Sequence, residues 1–379
     1  MQDASTVGGT GKSESFLKAK KVANNLGYLP SSFTTSVRTL IRDQEQNDAS
    51  MRPVTKYQVA RLMKTPSFKS MLYYATLDMR GQYIEGRDVV TVGDMMDFFE
   101  PVDIAALIAC FVYFRKGRKM VPTSEWITLE AQFREESLIA AHLGIALPVI
   151  GVGFSLILGT VRYFALAAML LEDEKAYRSY QNHLRKGKQS FDEQMEEELW
   201  GCNTKEVAVF MLSKMGFGVD IGNAFRVGVD PTIRLSSLGK GSSEFKMKLG
   251  KLWLDSFLAG LEQPAGEKVP GEYYPMMTDR QNLLGKIEEI RKGRVHWLAR
   301  KSEDISPEST PQLFAKRVEE FEVPEELLDV FTVDQITAMD EDSFDNLVDH
   351  IDLENEGKVP VGSAGLSAKD LEELEELVS

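Results

Sequence analysis

The stretch from Phe133 to Leu171 constrains this chain most, because it is an apolar block with no formal charge between Leu138 and Leu158. About 20 uncharged residues suffice to cross a bilayer as a helix, so the block is either a membrane span or the core of a large helical domain. Pro148, Gly151 and Gly153 interrupt it, and a proline with neighbouring glycines suits a turn between two packed helices. A mean hydropathy of −0.22 for the whole chain argues against a multi-span protein. The block therefore reads as two core helices broken at 148–153, with no membrane span.

Charge is unevenly spread. The 379 residues carry −14, yet residues 301–379 hold 23 acidic and 5 basic side chains, which leaves +4 for residues 1–300. A near-neutral body lacks the basic footprint of a nucleic-acid-binding domain, and nucleic acid is not an expected partner. The run Arg115-Lys116-Gly117-Arg118-Lys119 reads as a solvated helix end, where cations complement terminal carbonyls. It lacks the interleaved aromatics that would stack on bases. Cys110 and Cys202, each in an apolar context, give neither a disulfide framework nor zinc spacing. With a polar start that lacks the basic and apolar regions of a secretory signal, this composition implies a reducing cytoplasm. Residues 1–15 are small and polar, and disorder is expected there. Gly8-Gly9-Thr10-Gly11-Lys12-Ser13 imitates a phosphate loop, but the first glycine of that motif would have to stand at Thr6, and no apolar strand precedes it.

Helical spacing dominates the chain from Ser15 onward. Phe16, Ala19, Val22, Ala23 and Leu26 fall on one face, and Gly27 should stop that helix. Further helices are expected from the Ser31-Ser32 cap, over 55–63, over 66–78 with Pro66 in its first turn, over 91–99 after Thr91, and over 101–115. A first lobe thus spans 16–118. A second spans 125–262 and holds the apolar block, a charged connection from Glu172 to Glu198, and a helix over 206–215 ended by Gly216. It also holds a helix over 219–225 and one over 245–261. Pro264, Pro270, Gly271 and Pro275 mark a linker within 263–300, which also carries a helix over 280–298. Residues 301–379 form an acidic extension, helical in short pieces or partly disordered. Its apolar positions include Phe314, Leu327, Leu328, Phe331, Phe344, Leu371, Leu374 and Leu377, a stripe suited to docking on a partner. The fold class is all-α.

The order of these features resembles an HDOD domain across residues 26–262. Leu29-Pro30 and the 37–41 segment open it. Val59 to Ala75, with Lys64-Thr65-Pro66 between two helices, continues it, as do Gly81 and the helix start Val89-Val90-Thr91-Val92. Phe133 to Ala141 resembles the helix that carries the first metal-binding histidine in related catalytic HD enzymes, and that position is Glu136. Leu158-Gly159-Thr160-Val161-Arg162 stands where the histidine–aspartate pair would be, with Gly159 and Thr160 in its place. Glu197 to Ala208 resembles a helix start whose histidine is here Thr204, and Val227-Gly228-Val229 replaces a tyrosine and paired histidines.

The resemblance implies a two-lobed helical domain, with a helix bundle and an HD-like lobe, that acts in bacterial signalling through protein contacts. Metal-dependent phosphohydrolysis needs imidazoles and carboxylates converging on one cation. The four histidines, His142, His183, His296 and His350, match none of the ligand positions, so no catalysis, metal or cofactor is expected. Three functions remain open. One is a scaffold that binds signalling proteins through the domain and its acidic tail. Another is a sensor of a cyclic dinucleotide or another nucleotide in the groove between lobes, with Arg134, Arg162 or Arg226 on phosphate, and a residual metal-dependent phosphohydrolase is a third, less favoured reading.

Overall fold

A computed structural model describes residues 8–300, apart from 63–65, 85–86, 88–89 and 188–189. The described residues form helices and contain no strand, so the described part of the chain is all-α. Contacts divide them into two units: residues 8–28 with 112–292, and residues 29–111 with 293–300. The expected helices of the acidic tail, with Phe314, Leu327, Leu328, Phe331, Phe344, Leu371, Leu374 and Leu377, lie outside the described residues. So do residues 1–7, Lys64-Thr65 and His350.

The smaller unit contains α2 (Ser31–Gln46), α3 (Pro53–Leu62), α4 (Pro66–Arg80), α5 (Val92–Asp97) and the first half of α6 (Pro101–Met120). Pro30, rather than Ser31 or Ser32, is the N-cap of α2, and no side chain caps it. Pro66 opens α4 as its missing N–H allows. Thr91 caps α5 through a capping box with Asp94. Phe68 is fully buried and meets Phe33 and Phe111 at ring separations of 5.7 and 4.9 Å. Asp43, also buried, accepts hydrogen bonds from Arg52 N at 2.8 Å and Nε at 2.5 Å. That pair closes the α2–α3 connection.

The larger unit contains α1 (Gly8–Val22), the rest of α6, α7 (Thr123–Ala146), α8 (Val152–Glu172), α9 (Glu174–Gly187), α10 (Glu193–Trp200), α11 (Thr204–Met215), α12 (Gly218–Val229), α13 (Ser243–Leu258) and α14 (Met277–Arg291). The apolar block is the α7–α8 hairpin. Its turn at 147–151 is closed by Gly151 at φ +81°, a conformation that favours glycine. By length and composition α8 could cross a membrane, but 94% of its apolar window is buried inside the unit. A Cβ on Gly159 would stand 2.7 Å from Ala140 Cβ and 3.0 Å from Glu136 O, so the two helices touch backbone to backbone there.

Several expectations change. The Gly8-Gly9-Thr10-Gly11-Lys12-Ser13 segment lies in α1, which begins at Gly8 instead of near Ser15. Residues 16–28 join the larger unit, because α1 packs on α11, with Phe16 against Phe210 at 4.4 Å. The 172–198 connection contains two helices, α9 and α10. Within 263–300 the helix is α14, which starts at Met277 and ends at Arg291, and a separate 3-10 turn covers Trp297–Ala299.

Candidate functional site

Five helices of the larger unit deliver polar side chains to one buried cluster. α8 contributes Arg162 and Tyr163, α7 contributes Glu136, and α9 contributes Tyr180. α10 contributes Glu193 and Glu196, and α11 opens with Thr204. At the centre is Glu196, fully buried. Its Oε2 accepts from Thr204 N at 2.6 Å and from Thr204 Oγ1 at 2.8 Å, while Oε1 accepts from the Tyr180 hydroxyl. Arg162 Nε donates to Thr204 Oγ1 at 3.0 Å. Its Nη2 stands 3.6 Å from Glu193 and 3.8 Å from Glu196, within ion-pair range but beyond hydrogen bonding. The guanidinium lies 4.0 Å from the Phe191 ring centroid, and that ring meets Tyr163 at 5.3 Å.

Glu136 sits beside this cluster and accepts one hydrogen bond, from the Tyr163 hydroxyl at 2.6 Å. Burial holds its carboxyl above the ordinary range, against the pull of Lys251, Tyr163 and Arg162. Burial likewise raises Glu196, and Arg162 and its hydrogen bonds only partly offset this. The Tyr163 and Tyr180 hydroxyls are raised by burial and by the carboxylates they face, which keeps both as donors. Cys202, just before α11, is pushed up to about 12 by burial. That is the reverse of an activated thiol.

Of the residues singled out from the sequence, the structure joins Arg162 directly to Thr204. Gly159 is a packing contact against α7, and Thr160 turns its hydroxyl back to Leu156 O at 2.5 Å. Glu206 forms a capping box with Asn203 and also accepts from Ser15 Oγ at 2.6 Å. Arg226 donates to Asn223 on its own helix, 3.1 Å away, and Arg134 is half-exposed. Neither shares a hydrogen bond or ion pair with the Arg162 cluster among the described residues. His142 is buried on α7, and His183 pairs with Asp192 at 2.8 Å. Among the described residues no three His, Cys, Asp or Glu side chains converge as a metal ion would require.

Tyr180, Phe191, Glu193 and Glu196 were not singled out from the sequence. One signal for α9 was present, since Ala176, Tyr177, Tyr180 and Leu184 recur at helical spacing inside the charged segment. Nothing local marks Glu196 as buried among four acidic neighbours on α10 and its flanks. No family model matches the chain, and neither curated proteins nor solved structures include a match.

Proposed function

We propose that the chain is a non-catalytic, HDOD-type regulatory scaffold that binds signalling proteins, with the acidic segment from 301 as part of the contact surface. One observation carries this reading. The residues at the four positions where the resemblance places metal ligands are engaged in packing or hydrogen bonds within the unit. Glu136 is closed by Tyr163, Gly159 lies against Ala140, Thr160 bonds its own helix, and Thr204 binds Arg162 and Glu196. A group committed in this way is not available to a cation or a substrate.

The same packing weighs against the cyclic-dinucleotide reading. Arg162 faces Thr204, Glu193 and Glu196, so a phosphate would have to displace two carboxylates from a buried guanidinium. The partner reading is tested by affinity capture from a bacterial lysate with the full chain and with Leu371→Glu, Leu374→Glu and Leu377→Glu together. A partner set lost in the triple variant supports it, and identical sets would remove the tail from the contact. Elemental analysis of the purified protein is the companion measurement. A stoichiometric divalent ion together with phosphodiester hydrolysis would overturn the non-catalytic reading.

A further inference from the structure

Three helix ends of the larger unit meet around Gly27, which closes the turns that follow the end of α1 at Val22, not the helix itself as the sequence suggests. Tyr113 Oη donates to Met211 O at 2.7 Å, which fixes α6 beside α11. One turn further along each helix come Lys116 and Lys214. Lys214 Nζ donates to Gly27 O at 3.0 Å and to Asn24 Oδ1 at 2.9 Å. A Cβ on Gly27 would stand 3.7 Å from Lys116 Nζ and 3.8 Å from Met120 Sδ. Lys119 lies on the same face of α6 as Lys116 by its spacing of three, and Lys20, in the last turn of α1, accepts at its carbonyl from Asn24 Nδ2 at 3.3 Å. Four lysines from three helices are therefore gathered at one end of this unit.

This face has little local counter-charge. Residues 20–28, 115–120 and 213–218 contain seven Lys and Arg and no Asp or Glu, and of these Lys21 reaches Glu172 on α8. Lys20, Lys116, Lys119 and Lys214 have no carboxylate within ion-pair distance among the described residues. The carbonyls at three helix ends account for part of the positive charge. They do not account for four lysines gathered together, or for Tyr28 and Met120 left 48% and 40% exposed at the edge of the cluster.

We infer that this face is a docking surface for the chain's own acidic segment Asp370–Leu377. That segment carries five carboxylates around Leu371, Leu374 and Leu377, so it offers negative charge to the lysines and apolar side chains to Met120 and Tyr28. Residues 301–379 carry −18 against +4 for the rest, so the strongest source of negative charge for a basic surface is on the same polypeptide. As a coil, a connection of this length spans about 50 Å root-mean-square, and tethering raises the local concentration of the segment to the millimolar range. An anionic lipid or nucleic acid matches the charge but lacks that tether. The contact is intramolecular, and it holds whether or not the chain binds a signalling protein.

Zero-length carbodiimide cross-linking of the full chain, followed by peptide mass spectrometry, tests the contact. Linkages from Lys116, Lys119 or Lys20 to Glu372, Glu373, Glu375 or Glu376 are expected. Their yield should not depend on protein concentration, and it should fall about tenfold between low salt and 0.5 M salt as screening sets in. Lys20→Gln with Lys119→Gln, two substitutions outside the core, should lower the Lys116 linkages several-fold with the helical circular dichroism unchanged. Leu371→Glu with Leu377→Glu should do the same. Linkages to lysines elsewhere, linkages whose yield rises with concentration, or none at low salt would each overturn the inference.

Discussion

Burial holds the Glu136 carboxyl above its ordinary value of 4.5, and one hydroxyl, that of Tyr163, bonds it. A carboxyl raised on folding favours the protonated folded state, so its contribution to stability is complete below 4.5 and is lost as the pH rises through the folded value. Glu136→Gln removes this dependence while keeping the acceptor. The melting temperature of the variant should gain on the wild type as the pH rises above 4.5, and a difference that stays flat with pH would refute the assignment. Lys214 gives a second test. Burial and the nearby Lys116 ammonium lower it from 10.5 to about 8. Its charged form therefore weakens the fold below about pH 8, and this penalty disappears as the pH rises toward 10.5. Over that interval the wild type should gain stability relative to Lys214→Met, as measured by urea denaturation.

At the scale of elements, the α7–α8 hairpin depends on close approach at Gly159. Alanine there would improve helix propensity by about 1 kcal/mol. It would also force a Cβ against Ala140 Cβ at 2.7 Å and Glu136 O at 3.0 Å, and overpacking of this kind costs roughly 1–3 kcal/mol. Because backbone is one of the obstacles, Gly159→Ala should be destabilising overall, seen as a lower urea midpoint at unchanged slope. The hairpin itself was legible in the sequence, since Pro148 and its glycines break an otherwise continuous apolar run. The Gly216 stop of α11 and the Thr91 start of α5 were legible for a similar reason, as caps are local chemistry, whereas the Asn203 cap puts the start of α11 two residues before the expected 206. The Arg162 cluster was not. Its members are spread over residues 136–204, and the helices that bury Glu196 lie in a segment whose charge reads as solvent-facing. Composition records charge, whereas burial depends on which helix lies across it.

The whole molecule makes the same point about the segment after 262, whose prolines and glycines read as a linker. Leu283, Ile287 and Ile290 of α14 are buried, with α14 packed on α7, and Arg291 donates to Phe257 O at 2.6 Å. In the other unit Trp297 and Leu298 are buried against α4, and Arg294 pairs with Asp78. The spacing of Leu283, Ile287 and Ile290 marks one face of a helix, but which helices that face and Trp297 pack against is a long-range matter that no local pattern reports. Five buried apolar side chains at about 1.5–3 kcal/mol each come to roughly 8–15 kcal/mol, as large as the net stability of a typical domain. A chain ended at residue 262 should therefore fail to give a cooperative thermal transition, whereas one ended at residue 300 should melt cooperatively. Trp297→Ala separates the two units' shares. It removes a fully buried indole for about 3–5 kcal/mol, and its effect should fall on the amides of α4 in hydrogen exchange while those of α7 and α8 keep their protection. Equal loss across both sets would mean that the units unfold as one.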